Sequence, residues 1–423
     1  MPDLIIKNAK LSKIEALHDI AIEGAKITAV EKQISAEGVE VLDAEGCLVI
    51  PPFIDSHFHL DAALSYGQPR INQSGTLLEG IALWGELNPT QKVEDFQARA
   101  MEFCQWSIAQ GVLGLRSHVD VTDENLIAVE ALLDVREKMK PYMDIQLVAF
   151  PQNGFLRSPG AKENLLRALE IGVDVVGGIP HFERSMDDGG QSVCELCEIA
   201  ADKGLLVDMH CDESDDPLSR HIEALCAQTT RLGLEGRVAG SHLTSMHSMD
   251  NYYVSKLMAL MGEADMQVIA NPLINITLQG RHDTYPKRRG MTRVKELIEN
   301  DINVAFGHDC VMDPWYSFGS HDMLDVAHMG LHVAQMTGVA QIQSCFEAVT
   351  ENAAQVMQLE NYGIGSGKNA DLVILDCNSV FDAIRLRPAR LYVVRRGQIL
   401  ATTKRSKPRV MIGDNSREVD FRL

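Results

Sequence analysis

Positive charge is in deficit throughout this chain of 423 residues: 39 Lys and Arg stand against 59 Asp and Glu, for a formal net charge of -20. That balance argues against a nucleic-acid or anionic-membrane partner, because binding phosphate requires a basic surface. The one compact basic run, Lys287-Arg288-Arg289, reads as a solvated loop. Long apolar runs are missing as well, and nothing approaches the ~18 apolar residues of a membrane span. No secretory pattern opens the chain, since Met1-Pro2-Asp3 leads into a short strand-like run broken by Lys7 and Asn8. The nine cysteines, an odd number in apolar contexts, suit reduced thiols rather than a disulfide framework, and a cytoplasmic location is expected. Cys194 and Cys197 have metal-like spacing but sit in a helix-like run without a second pair, so they read as buried thiols. No G-x-G-x-x-G follows any strand-like run, which argues against a dinucleotide-binding open sheet.

What the chain does have is an ordinary globular composition, 45% hydrophobic and 23% charged, at a length that favours one large domain plus a smaller one. Short alternating runs occupy the first stretch, at Leu4-Ile5-Ile6, Asp19 to Glu23 and Lys26 to Val30, and similar runs return at Asp371 to Leu375 and Leu391 to Arg395. They predict a small β-sandwich built from both termini, residues 1–50 and 356–423. Between them, strand-like runs begin at Cys47, Val112, Asp144, Val173, Leu205, Val238, Gln267 and Ile302. Helical patterns such as Val93 to Ala109 and Asn125 to Met139 separate most of them. This cadence predicts an α/β chain whose residues 51–355 form a (β/α)₈ TIM-type barrel.

In such a barrel the chemistry gathers at the C-terminal ends of the strands. Here the strand-like runs end in turn on His57 and His59, His118, Gln152, His181, His210 with Glu213 just after it, His242, Asn271, and His308-Asp309. Any one of these suits a satisfied polar residue; the periodic set points to one shared site. His57 and His59 alternate on a strand and so face one side together. With His210 and Asp309 they offer three nitrogens and one oxygen, a set that suits Zn²⁺, Fe²⁺ or Mn²⁺ with room for water. A divalent ion there would bring the pKa of a bound water toward ~7. Glu213 is placed to move a proton, and His242 to orient the nucleophile beside Asp309. Barrels with two metals usually carry a bridging carboxylated Lys on the fourth strand. Gly177 to His181 offers none, so one ion is expected. His118, His181, His247 and His308 read as pocket-lining or supporting residues. His328 and His332, four apart, read as a helix face packed on the barrel.

Taken together these residues resemble the amidohydrolase superfamily, and within it the bacterial cytosine deaminases, over almost the whole chain. The resemblance rests on Phe53 to Leu60, Asn72 to Thr76, Ala149-Phe150-Pro151-Gln152, His210 to Glu213, Ser241-His242, Asn271-Pro272-Leu273, Asp283 to Gly290 and Phe306 to Trp315. It implies one divalent metal held by His57, His59, His210 and Asp309, with Glu213 and His242 moving protons. It further implies that Gln152 reads the pyrimidine's carbonyl and ring-nitrogen edge, and that backbone near Leu77 completes base recognition. Trp315 would wall the pocket. The implied reaction is attack of the activated water on C4 of a free base, protonation of N3 by Glu213 and loss of ammonia, in a homo-oligomer. One position departs from the pattern: where these deaminases commonly have a second Asp after the metal Asp, this chain has Cys310. A smaller, uncharged side chain there predicts tolerance of a C5 substituent, hence 5-methylcytosine as well as cytosine. The competing readings are a hydrolase of another small heterocycle (isoguanine, creatinine or a triazine), a dihydroorotase-like ring opener, weakened by the missing Lys, and a scaffold that has lost catalysis.

Overall fold

A computed structural model describes residues 2–422 and places one eight-stranded parallel sheet at its centre. Its strands, in chain order, are Phe53–Phe58, Val112–Asp120, Asp144–Phe150, Val175–Gly178, Leu206–Cys211, Val238–His242, Gln267–Ala270 and Asn303–Phe306, each paired with its sequence neighbour. The second strand, VLGLRSHVD, is buried at every position. That is the signature of a strand covered on both faces, not of an alternating half-exposed one. The first and eighth strands meet through a parallel bridge between Phe58 and Asp309. Two backbone hydrogen bonds hold that seam: Asp309 N donates to His57 O at 2.9 Å, and His59 N donates to Asp309 O at 3.0 Å. The barrel therefore closes on the residues expected to hold a metal.

Helices wrap the strands, and some of these helices are started by side-chain caps. Ser185 accepts from Asp188 N to start Met186–Lys203, and Gly204 in the left-handed region ends it at φ 69. Asp250 likewise caps Asn251–Glu263 by accepting from Tyr252 N and Tyr253 N. Their inward faces and the strands share one core containing Phe53, Phe58, Phe103 and Phe306. The expected helix Asn125 to Met139 starts at Ile127, because Asp123 folds back on Asn125 N and Ile127 N. A further helix, Leu77–Leu87, is started by Thr76 and lies over the barrel mouth, where Leu77 and Ile81 line the cleft.

The strand-like run beginning at Cys47 divides in two. Leu48–Ile50 belongs to the terminal sheet and Phe53–Phe58 to the barrel, because Pro51 and Pro52 lack the N–H groups that would continue one ladder. The terminal sheet has eight strands from both ends of the chain, with Leu4–Leu11 paired to Ile14–Glu23, Glu40–Asp43 and Leu48–Ile50, and Leu48–Ile50 paired to Leu372–Leu375. It is one continuous mixed sheet that curls over a common core of Ile6, Ile20, Ile22, Leu372, Ile374 and Val394. The hairpin Arg409–Ile412 with Asn415–Glu418 pairs only with itself, and Met411 and Ile412 are exposed. No helix among the described residues is long and apolar enough to cross a membrane.

Candidate metal centre and active-site pocket

At the C-terminal mouth of the barrel a cleft of about 490 Å³ is lined by His59, His210, Glu213, His242, Asp309 and Cys310, with Gln152, Leu77 and Trp315 around them. His57 lies fully buried beneath them. The expected metal, proton-transfer and base-contacting residues thus come together in one place.

The donor atoms lie at metal-ligand spacing. Asp309 Oδ1 is 3.6 Å from His57 Nε2 and 3.5 Å from His59 Nε2, and His59 Nε2 is 3.1 Å from His210 Nε2. Tetrahedral ligands at roughly 2.0–2.1 Å from an ion lie about 3.3 Å from one another. His57, His59 and Asp309 form one group whose donors all fall within 4.8 Å, and His57, His210 and His242 form another. His57 Nε2 has no hydrogen-bond partner although it is buried. An orphaned imidazole nitrogen in a dry site costs stability unless an ion or water meets it. Burial also pushes the His57, His210 and His242 pKa values well below the ordinary histidine range, and that of His59 down to about 3. These rings are therefore neutral, which is the ligand form. The donor set fits one divalent cation.

The carboxyls respond in the opposite sense. Burial raises Glu213 to about 8, and raises Asp309 well above the ordinary range with help from the neighbouring Glu213 charge. A dication among these donors would offset that penalty. Glu213 Oε1 lies 3.4 Å from His242 Nδ1, and His242 Nε2 lies 3.8 Å from Asp309 Oδ2. Asn275 Nδ2 sits 2.9 Å from His242 Nδ1, so Nδ1 accepts and Nε2 carries the proton, directed toward Asp309. His242 and Asp309 both adopt φ 71, a left-handed backbone uncommon outside glycine. Strain of this kind persists where the surroundings over-determine a site.

His57, His210 and Glu213 are held from behind. Asp55 Oδ1 accepts from the amides of His57 and His308, both at 3.1 Å, and Asp55 Oδ2 is 2.9 Å from His321 Nε2. The His210 ring stacks on Phe150 at 4.1 Å between centroids. Asp212 anchors the turn that presents Glu213, accepting from Ser219 Oγ at 2.7 Å and from Ile222 N at 2.8 Å. Cys310 is buried, with Sγ 3.6 Å from Asp309 Oδ1, and its thiol is pushed well above the ordinary range by burial and by Asp313, so it is uncharged.

A sequence profile described as the amidohydrolase family matches residues 40–401. The chain belongs to the amidohydrolase family. Among solved structures, this amidohydrolase is similar to 5-methylcytosine deaminase from Klebsiella pneumoniae liganded with phosphonocytosine: 41% identity, TM-score 0.92, covering 95% of this chain and 99% of that one. The same Klebsiella protein liganded with 5-fluorocytosine superposes with a TM-score of 0.93 at 40% identity, over 96% and 99% of the two chains. The N-isopropylammelide isopropyl amidohydrolase of Pseudomonas sp. is 29% identical over 409 residues, 94% of this chain and 97% of that protein.

Several residues of the amidohydrolase site lay outside the sequence expectations. Asp55 and Asp208 each precede a candidate histidine by two positions on a strand, so alternation alone puts each on the same side as that histidine. Asn275 and His321 gave no such signal. The basic run is also more organised than a solvated loop: Arg288 pairs with Asp283 at 2.7 Å and donates to Asp215 O and Ser248 Oγ. His181 lines the pocket, whereas His247 borders a separate cleft. The His328 and His332 rings lie tilted against each other, 4.4 Å apart, along the helix Met323–Val333 and outside the site.

Proposed function

We propose that this amidohydrolase deaminates a free pyrimidine base hydrolytically, converting cytosine to uracil and 5-methylcytosine to thymine with release of ammonia. The observation that carries the reading is the 40% identity, over nearly the full length, to a 5-methylcytosine deaminase that binds cytosine analogues, joined to a pocket holding Gln152, Glu213 and Cys310 together. His57, His59, His210 and Asp309 would hold one Zn²⁺ or Fe²⁺, or Mn²⁺. Bound there, the ion supplies a water acidic enough to act as a nucleophile at neutral pH.

The chain's own groups do the rest. Gln152 offers a donor and an acceptor to the carbonyl and ring-nitrogen edge of the base. Leu77 and Trp315 border its faces. Glu213 takes a proton from the water as its oxygen bonds to C4 and passes that proton to N3. Asp309 takes the remaining proton, and His242, through Nε2–H, stabilises the oxygen as charge develops. Asp309 then returns its proton to the 4-amino group, the C4–N bond breaks as the C4 carbonyl forms, and ammonia leaves. Cys310 adds no charge beside the base, which suits a C5 methyl group. A homo-oligomeric assembly in the cytoplasm belongs to the same proposal. The exposed Met411 and Ile412 are apolar surface that association would cover, and sedimentation velocity tests it.

The test is a panel of cytosine, 5-methylcytosine, isoguanine, creatinine and N-isopropylammelide scored by amine release. Turnover of both pyrimidines ahead of the others supports the proposal. Release of isopropylamine with no ammonia from either pyrimidine would transfer the activity to the triazine class.

A further inference from the structure

Beneath the candidate donors runs a buried chain of polar groups that ends on His57 and whose other members take no part in the pocket chemistry. Arg116, Asp208, Ser241 and His57 come from the second, fifth, sixth and first barrel strands, and all four are buried. The Arg116 guanidinium donates to Asp208 Oδ2 at 3.0 Å, to Gln146 Oε1 at 2.7 Å and to Val356 O at 2.9 Å. Ser241 Oγ lies 2.6 Å from Asp208 Oδ1 and 3.0 Å from His57 Nδ1.

Proton counting gives the direction of this chain. A serine hydroxyl has one proton to donate. Ser241 Oγ donates to Asp208 Oδ1, and the other oxygen of that carboxyl accepts from Arg116. The Ser241 oxygen then has only lone pairs for His57, and Nδ1 must carry a proton to bond to it. Nε2 is left as the bare nitrogen, aimed into the site 3.6 Å from Asp309 Oδ1.

His57, His118 and Asp208 also fall within 4.8 Å of one another, a grouping that could be read as a second cation site. Arg116 opposes that reading. It already supplies the positive charge that the Asp208 carboxylate needs, and a dication beside it would be repelled.

We propose that Ser241, held in place by Asp208 and Arg116, is a positioning residue that fixes His57 in the Nδ1–H tautomer and so presents Nε2 to the metal. This rests on the reading of His57 as a metal ligand. Groups that orient a ligating histidine typically change metal affinity by about 10–100-fold.

The experiment measures the Zn²⁺ dissociation constant by chelator competition, and the visible spectrum of the Co²⁺-loaded protein, for wild type, Ser241→Ala and Ser241→Cys. Both variants are expected to bind Zn²⁺ about 10–100-fold more weakly and to shift the Co²⁺ bands. Ser241→Cys fills the position with a slightly larger group that donates and accepts only weakly, so it weakens the hydrogen bond without leaving a hole and serves if the alanine variant folds poorly. Wild-type affinity and spectrum in either variant overturn this inference alone, as would two Zn²⁺ ions per wild-type chain. A wild-type protein that holds no Zn²⁺ overturns the metal-site reading, and this inference with it.

Discussion

The amide of Asp309 donates to the carbonyl of His57 at 2.9 Å, so the hydrogen bond that closes the barrel also joins the last acidic donor to the first histidine. Architecture and chemistry share a seam here. Anything that opens the junction of first and eighth strands should disturb the metal donors before it unfolds the chain.

Gly307 sits on that seam. A Cβ added there would meet Asn271 Oδ1 first, then His57 Cβ at 2.7 Å and His57 O at 2.9 Å, closer than real side chains approach. Gly307→Ala should cost about 1–3 kcal/mol through overpacking. It should also weaken Zn²⁺ binding, because His57 and Asn271, which contacts His242, would both be displaced. Urea unfolding and chelator competition on the same preparation check the two effects.

Glu213→Gln keeps the size and hydrogen-bonding reach of the side chain but cannot transfer a proton as a carboxyl does. It should lower kcat for cytosine by about 10²–10⁴-fold while leaving metal content near wild type. Steady-state ammonia release and metal analysis test this together, and a variant with wild-type kcat would remove Glu213 from the proton path.

The buried groups predict how stability depends on pH in metal-depleted protein. The site histidines have lowered folded pKa values, so below their unfolded value of 6.5 the unfolded chain binds more protons and stability rises with pH. Glu213, raised to about 8, and Asp313 and Asp61, raised to about 7, act the other way from their unfolded values of 4.5 and 3.8 upward: the folded chain holds more protons, and once the histidines cease to oppose them above 6.5, stability falls until these raised values are passed. Melting temperatures should therefore peak near 6.5 without metal. Saturating Zn²⁺ should flatten the alkaline decline by favouring the carboxylate of Glu213.

Cys310→Asp places a charged group beside Asp309 and Asp313 and narrows the space near C5. The ratio of kcat/KM for 5-methylcytosine over cytosine should fall by about 10–100-fold, the scale of one methyl group in a fitted pocket. An unchanged ratio would show that another wall of the pocket decides tolerance of the methyl.

Much of this was legible in the sequence because barrel chemistry leaves periodic traces. Polar residues at successive strand ends, from His57 to Asp309, mark the mouth without any knowledge of the fold, and alternation alone puts His57 and His59 on one face. The supporting layer was harder to see. Ser241 sits next to His242 and reads as an ordinary strand-end hydroxyl; only the packing of four strands shows it between His57 and Asp208. His321 reaches Asp55 across 266 positions, a contact no local pattern encodes. The division of the first strand-like run at Pro51-Pro52 was visible in the prolines themselves, but its consequence, two strands in two different sheets, depends on which partners each half finds.

The most direct test of the central claim is the divalent-metal content of the purified protein, measured alongside ammonia release from cytosine and 5-methylcytosine, for wild type and for His59→Ala and Asp309→Ala. The expected result is about one ion per wild-type chain, with ion and activity lost together in both variants although they remain folded. Full ammonia release from folded variants that hold no metal would contradict it.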